Sequence, residues 1–162
     1  MLDIKPLAGA LGAEIGGVKL ARLDDDAKWK EVHDAFVRHS VLVFRDQGLE
    51  PADIMRIGDR FGGPCHYPFV TGMDGFPFIF EVVKEEAERT NFGGAWHSDT
   101  TYLPQPPSAT ILYAVETPTF GGDTLFTNTT AAYEALSEGM RKLIDGLVGV
   151  NSAGLKYGGG RT

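Results

Sequence analysis

The stretch Trp96-His97-Ser98-Asp99 holds the side chains best suited to chemistry in this chain. In extended backbone, side chains alternate between faces with period two. His97 and Asp99 then face one way and Ser98 the other. One imidazole and one carboxylate on a shared face supply two of the three ligands of the 2-His-1-carboxylate facial triad, which holds non-haem Fe(II). The third ligand would be a second His far along the chain. By itself the tripeptide is weak evidence: 4 His and 12 Asp in 162 residues give roughly 0.3 His-x-Asp matches by chance. A His and an Asp hydrogen-bonded near a strand end would read the same way.

The surroundings of the tripeptide say more. Pro106-Pro107 follows it, then the apolar run Ala109 to Val115, then Gly121-Gly122-Asp123-Thr124, then the AAYEAL of residues 131–136. Upstream stand RHSVLVFRDQ at residues 38–47 and Arg60-Phe61-Gly62. This ordered series resembles the Fe(II)/2-oxoglutarate-dependent dioxygenases of the taurine dioxygenase and 2,4-dichlorophenoxyacetate dioxygenase (TauD/TfdA) family. The resemblance runs from about Ile4 to about Val150 and covers the N-terminal half of a typical member.

The resemblance implies a role for each matching residue. His97 would be one His ligand of iron and Asp99 the carboxylate ligand. The cosubstrates would be 2-oxoglutarate and O2, with release of succinate and CO2. Related halogenases carry Ala or Gly at the carboxylate position, so Asp99 implies hydroxylation. Thr124 matches the family Thr whose hydroxyl binds a 2-oxoglutarate carboxylate; without the motif it would read as a packed strand Thr. The family Arg that pairs with the distal carboxylate lies near the C-terminus, and Arg161 stands too early to replace it. A distal His and Arg are therefore expected beyond Thr162. The chain reads as the N-terminal portion of a single catalytic domain.

The substrate side departs from the sulfonate-using members. They place a His directly before a Pro, whereas the order here is Cys65-His66-Tyr67-Pro68. They offer an Asn where this chain has Gly93, with Asn91 nearby but shifted. His66, Tyr67, Phe92 and Tyr102 are the candidate substrate-binding residues, with aromatic core packing an equal reading for the last two. The substrate class implied is a small anionic organic molecule, a taurine-like sulfonate or a related carboxylate.

Elements must position these groups. Asp24 or Asp25 can cap a helix running to about Arg38, with Trp29, Val32, Phe36 and Val37 on its apolar face. His33 lies beside that stripe. Pro51 suits the first turn of a second helix, with Ile54, Ile57 and Phe61 facing inward. Thr129 or Thr130 starts a third helix and Ser137 caps a fourth. Strands are expected within 13–20, 41–44, 78–83, 109–115, 122–126 and 147–150. The tail from Tyr157 to Thr162 is polar and Gly-rich. Short strands with a few helices fit an α+β fold. The resemblance sharpens this to a double-stranded β-helix, or jelly roll, with flanking helices, incomplete in this chain.

Composition removes other classes. A net charge of −7 leaves no basic stripe to meet phosphates, so no nucleic-acid partner is expected. The single Cys65 cannot form an internal disulfide, and neither a secretory signal nor a membrane-length apolar run is evident. A cytoplasmic protein is expected. Oligomeric state, including a homo-oligomer, is left open. The glycine clusters form no phosphate-binding fingerprint. Two rival readings remain. A zinc hydrolase would need His66 or His39 as a further ligand, and neither has recognisable metal spacing. A truncated or degenerate relative would keep the fold and bind a partner without catalysis.

Overall fold

A computed structural model describes residues 1–67, 69–89 and 92–153. The N-terminal third holds the sheet. Strands β1 (Asp3–Pro6) and β2 (Ala13–Gly16) pair antiparallel, and β3 (Leu42–Val43) joins β2 in parallel. The parallel step needs a crossover, and helix α1 (Asp26–His39) supplies it. Helix α2 (Pro51–Asp59) follows, and α3 (Thr129–Glu134) and α4 (Glu138–Ile144) form a later pair.

The helix starts follow local chemistry. Asp25 caps α1 by accepting from the N–H groups of Ala27 and Lys28. Asn128 and Ser137 do the same for α3 and α4. Pro51 occupies the first turn of α2, where its missing N–H costs nothing. Asp53 accepts from the Glu50 N–H at 3.0 Å and pairs with Arg56 at 3.0 Å. The backbone bond first, and the guanidinium second, hold its carboxyl below the ordinary 3.8. A carboxylate with a folded pKa below its unfolded value stabilises the fold above 3.8, and that contribution is lost as pH falls through the folded pKa. Between pH 5 and 2 the Tm of the wild type should therefore fall more steeply than that of Asp53→Asn. Parallel curves in a calorimetric pH series would remove Asp53 from the acid limb.

One face of α1 makes the core. Trp29, Val32 and Ala35 are buried, as are Leu20 and Leu23 before the helix and Ile57 of α2. The Trp29 indole N–H donates to the Leu23 carbonyl at 2.8 Å, so its polar atom is satisfied inside. Phe61 meets Trp29 and Phe36 edge to face, and His33, exposed, stacks on Phe61 at 6.1 Å. Val37 does not join the apolar face: it is 69% exposed. Ala35 takes that place, because residues 32 and 35 share a face at three-residue spacing and residue 37 does not.

The expected strands beyond residue 77 are not formed. Residues 78–83, 109–115, 122–126 and 147–150 lie outside any strand, and the sheet among the described residues has three strands, against the eight of a jelly roll. Strands 13–20 and 41–44 are present in shortened form, and β1 was not anticipated. The physical reason is the ladder. A strand exists only with a neighbour to take its N–H and C=O groups, and these segments have none among the described residues. Their apolar side chains stand in solvent: Leu112, Val115, Leu125 and Val148 are each at least two-thirds exposed. The total accessible surface is 13000 Å², against roughly 7,900 Å² for a compact monomer of this mass. Among the described residues no helix is long and apolar enough to cross a membrane. The Gly-rich tail from 157 lies outside the described residues.

Candidate metal centre

His97 and Asp99 meet, though residues 95–99 form no strand. His97 Nε2 lies 3.1 Å from Asp99 Oδ1, and both side chains are about half exposed. The other ring nitrogen, Nδ1, is 2.7 Å from the Ala95 carbonyl. A carbonyl only accepts, so Nδ1 carries the proton. In the neutral ring, Nε2 then presents a lone pair toward a carboxylate oxygen. Two acceptors at this distance need a cation between them, either a proton on Nε2 or a metal ion bound by both. The distance suits either: it is that of an ordinary N–H···O bond, and it also fits a shared metal. With ligand bonds of about 2.1 Å, as for zinc, and a right angle between cis ligands, N and O stand about 3.0 Å apart. A backbone carbonyl on the second nitrogen is also the usual way a ligating imidazole is oriented.

Neighbouring residues shape the pair. Gly93 has φ +67°, and a Cβ there would sit 3.2 Å from His97 Cε1. Glycine at 93 thus suits both the backbone conformation and the room for the imidazole. After Asp99 the chain turns through Thr100 at φ 50°, a conformation β-branched residues seldom adopt. The Thr110 hydroxyl donates to Asp99 Oδ2 at 2.8 Å. Sequence reasoning missed Thr110; the one signal was a hydroxyl inside an otherwise apolar run.

The third ligand does not appear. Among the described residues no group of three or more His, Cys, Asp or Glu is placed to hold a metal ion. His66 and His39, the rival zinc ligands, are not brought to the pair. Thr124 is exposed on the segment between Gly122 and α3, and the hydrogen bonds of the pair run to Ala95 and Thr110 instead.

Three of the four substrate candidates do come together. Tyr67 stacks on Phe80 at 5.4 Å and meets Phe69 edge to face at 5.5 Å. Phe69 contacts Tyr102 at 5.9 Å, and Phe80 contacts Phe92 at 6.1 Å. The result is one aromatic run whose two ends lie close in sequence to His97 and Asp99. The Tyr102 hydroxyl is covered and has no hydrogen-bond partner among the described residues. Its burial first, with Tyr67 and Cys65 adding, raises its pKa above the ordinary value of 10.0. His66 is exposed, and its carbonyl accepts from Cys65 Sγ at 3.8 Å. Pro68, Asn91 and Arg161 lie outside the described residues.

Comparison with known proteins places the chain as a whole. The sequence matches the taurine catabolism dioxygenase TauD, TfdA family over residues 3–162. The chain belongs to that family. It is 37% identical over 159 residues to an alkylsulfatase of Acinetobacter baylyi, covering 98% of this chain and 49% of that protein. An alpha-ketoglutarate-dependent sulfate ester dioxygenase of Pseudomonas putida is 38% identical over 157 residues, 96% of this chain and 51% of that protein. Among solved structures, a taurine dioxygenase from Burkholderia xenovorans superposes with TM-score 0.76 at 34% identity, over 90% of this chain and 51% of that one. The chain spans about half the length of the curated relatives it matches.

Proposed function

We propose that this TauD/TfdA chain is the N-terminal part of an Fe(II)- and 2-oxoglutarate-dependent dioxygenase that hydroxylates a small anionic organic substrate. The observation that carries the reading is the 3.1 Å approach of His97 Nε2 to Asp99 Oδ1, with Nδ1 held by Ala95. It fits two cis ligands of one metal. A distal part of the protein supplies the second His, the Arg for the far carboxylate of 2-oxoglutarate, and the strands that complete a jelly roll. The uncovered apolar segments and the large accessible surface support that division.

Bound Fe(II) would supply the redox chemistry that couples oxidation of 2-oxoglutarate by O2 to hydroxylation. The chain's own residues have other tasks. His97 and Asp99 hold the ion. Thr124 donates its hydroxyl to a 2-oxoglutarate carboxylate. The aromatic run from Phe92 to Tyr102 lines the substrate's organic part and keeps water from it. Aromatic faces favour an apolar group, so alkyl sulfates and aryloxyalkanoates suit this wall better than taurine, in keeping with the altered His66-Tyr67 segment.

The test is succinate formation by the full-length protein, with 2-oxoglutarate and a panel of alkyl sulfates, aryloxyalkanoates and taurine. Substrate-dependent succinate is expected with the first two groups. No 2-oxoglutarate consumption with any of them would favour a non-catalytic relative. Thr124→Val should raise the 2-oxoglutarate KM about tenfold or more, as loss of a hydrogen bond to a charged group does. It should leave Fe(II) binding unchanged. An unaltered KM would take Thr124 out of the site.

A further inference from the structure

The two oxygens of Asp99 have different surroundings. Oδ1 faces His97 Nε2 at 3.1 Å, and Oδ2 accepts from the Thr110 hydroxyl at 2.8 Å. A carboxylate can bind a metal ion through one oxygen or through both. Three protein ligands leave three cis positions open on an octahedral ion only when the carboxylate takes one. We infer that Thr110 is a positioning residue that keeps Asp99 monodentate, with Oδ1 turned to the metal and Oδ2 occupied by the hydroxyl. This rests on the metal reading of His97 and Asp99.

Thr110 is built to hold that bond. Its β-branched side chain has few rotamers. The segment that carries it is pinned on both sides. Ser108 donates its hydroxyl to the Phe61 carbonyl at 2.6 Å, and the Tyr113 hydroxyl accepts from the Leu49 N–H at 3.1 Å. Leu49 and Phe61 flank α2 (Pro51–Asp59), so α2 fixes where Thr110 stands. The bond spans 11 residues and is not a local turn. Thr110 is exposed, so water can replace the bond energetically. Water cannot replace its direction, and the effect falls on carboxylate orientation rather than on stability.

The experiment is a Co(II) titration of the full-length protein, following dissociation constant and visible spectrum, for wild type, Thr110→Val, Thr110→Ser and His97→Ala. Thr110→Val keeps the shape and loses the donor; it should bind Co(II) about 10- to 100-fold more weakly, as loss of partners to metal ligands does. Its visible spectrum should change with the altered coordination. Thr110→Ser keeps the donor and should restore both readouts to within about twofold of wild type. Wild-type affinity and spectrum in Thr110→Val would overturn the inference, as would a Thr110→Ser variant as weak as Thr110→Val. Thr110→Ala replaces Thr110→Val if circular dichroism shows the latter unfolded. His97→Ala separates the two claims. If it binds Co(II) like wild type, the metal reading itself fails; if it loses Co(II) while Thr110→Val does not, only the role of Thr110 falls.

Discussion

His97→Ala and Asp99→Ala are each expected to reduce 2-oxoglutarate turnover by the full-length protein to background. The reason is ligand number. A facial triad has three protein ligands, and losing one leaves two donors for an ion that must survive turnover. Partners that only orient a ligand cost about 10- to 100-fold in metal affinity, so loss of a ligand itself should exceed that range. Tm values compared in the metal-free proteins separate folding from ligation, since a lost ion by itself lowers the apparent stability. Lost activity with an unchanged Tm would therefore report on the metal and not on folding. Succinate production retained in both variants would refute the assignment. Metal binding retained with turnover lost would move the pair from ligation to another catalytic task.

The second large effect is on stability. Trp29→Ala should lower the unfolding free energy of the full-length protein by about 3–5 kcal/mol, the usual cost of truncating a buried aromatic. That is a large fraction of the roughly 5–15 kcal/mol that holds a domain folded. Trp29 is 7% exposed and sits among Leu20, Leu23, Val32 and Ile57, so its removal leaves a cavity between α1 and α2. It also leaves the Leu23 carbonyl without the indole N–H. Trp29→Phe should cost less, since it keeps most of the ring and loses the donor. Urea denaturation measures both. A loss below about 1 kcal/mol for Trp29→Ala would mean that this cluster is not the core. Because Leu49 and Phe61 anchor the segment carrying Thr110, loosening α2 should also weaken the metal site, with no contact between Trp29 and the ligands.

What the sequence could determine is local. Asp25, Pro51 and Ser137 act within one turn of themselves, so the helix starts were legible from residue type and position. His97 and Asp99 stand two apart in the chain, so their 3.1 Å approach needs no distant partner. The order of motifs gave the family, and the match over residues 3–162 bears it out.

Tertiary structure decided the rest, because the rest depends on distant neighbours. The apolar runs 109–115 and 122–126 read as strands, yet a strand is a relation between two segments, and no partner lies beside them among the described residues. Sequence could propose Tyr67, Phe92 and Tyr102 singly; only folding joined them through Phe69 and Phe80 into one wall. Thr110 was invisible because nothing near it in the chain marks it. It acquired a role when the ends of α2 fixed its segment and set its hydroxyl on the one Asp99 oxygen that His97 does not face.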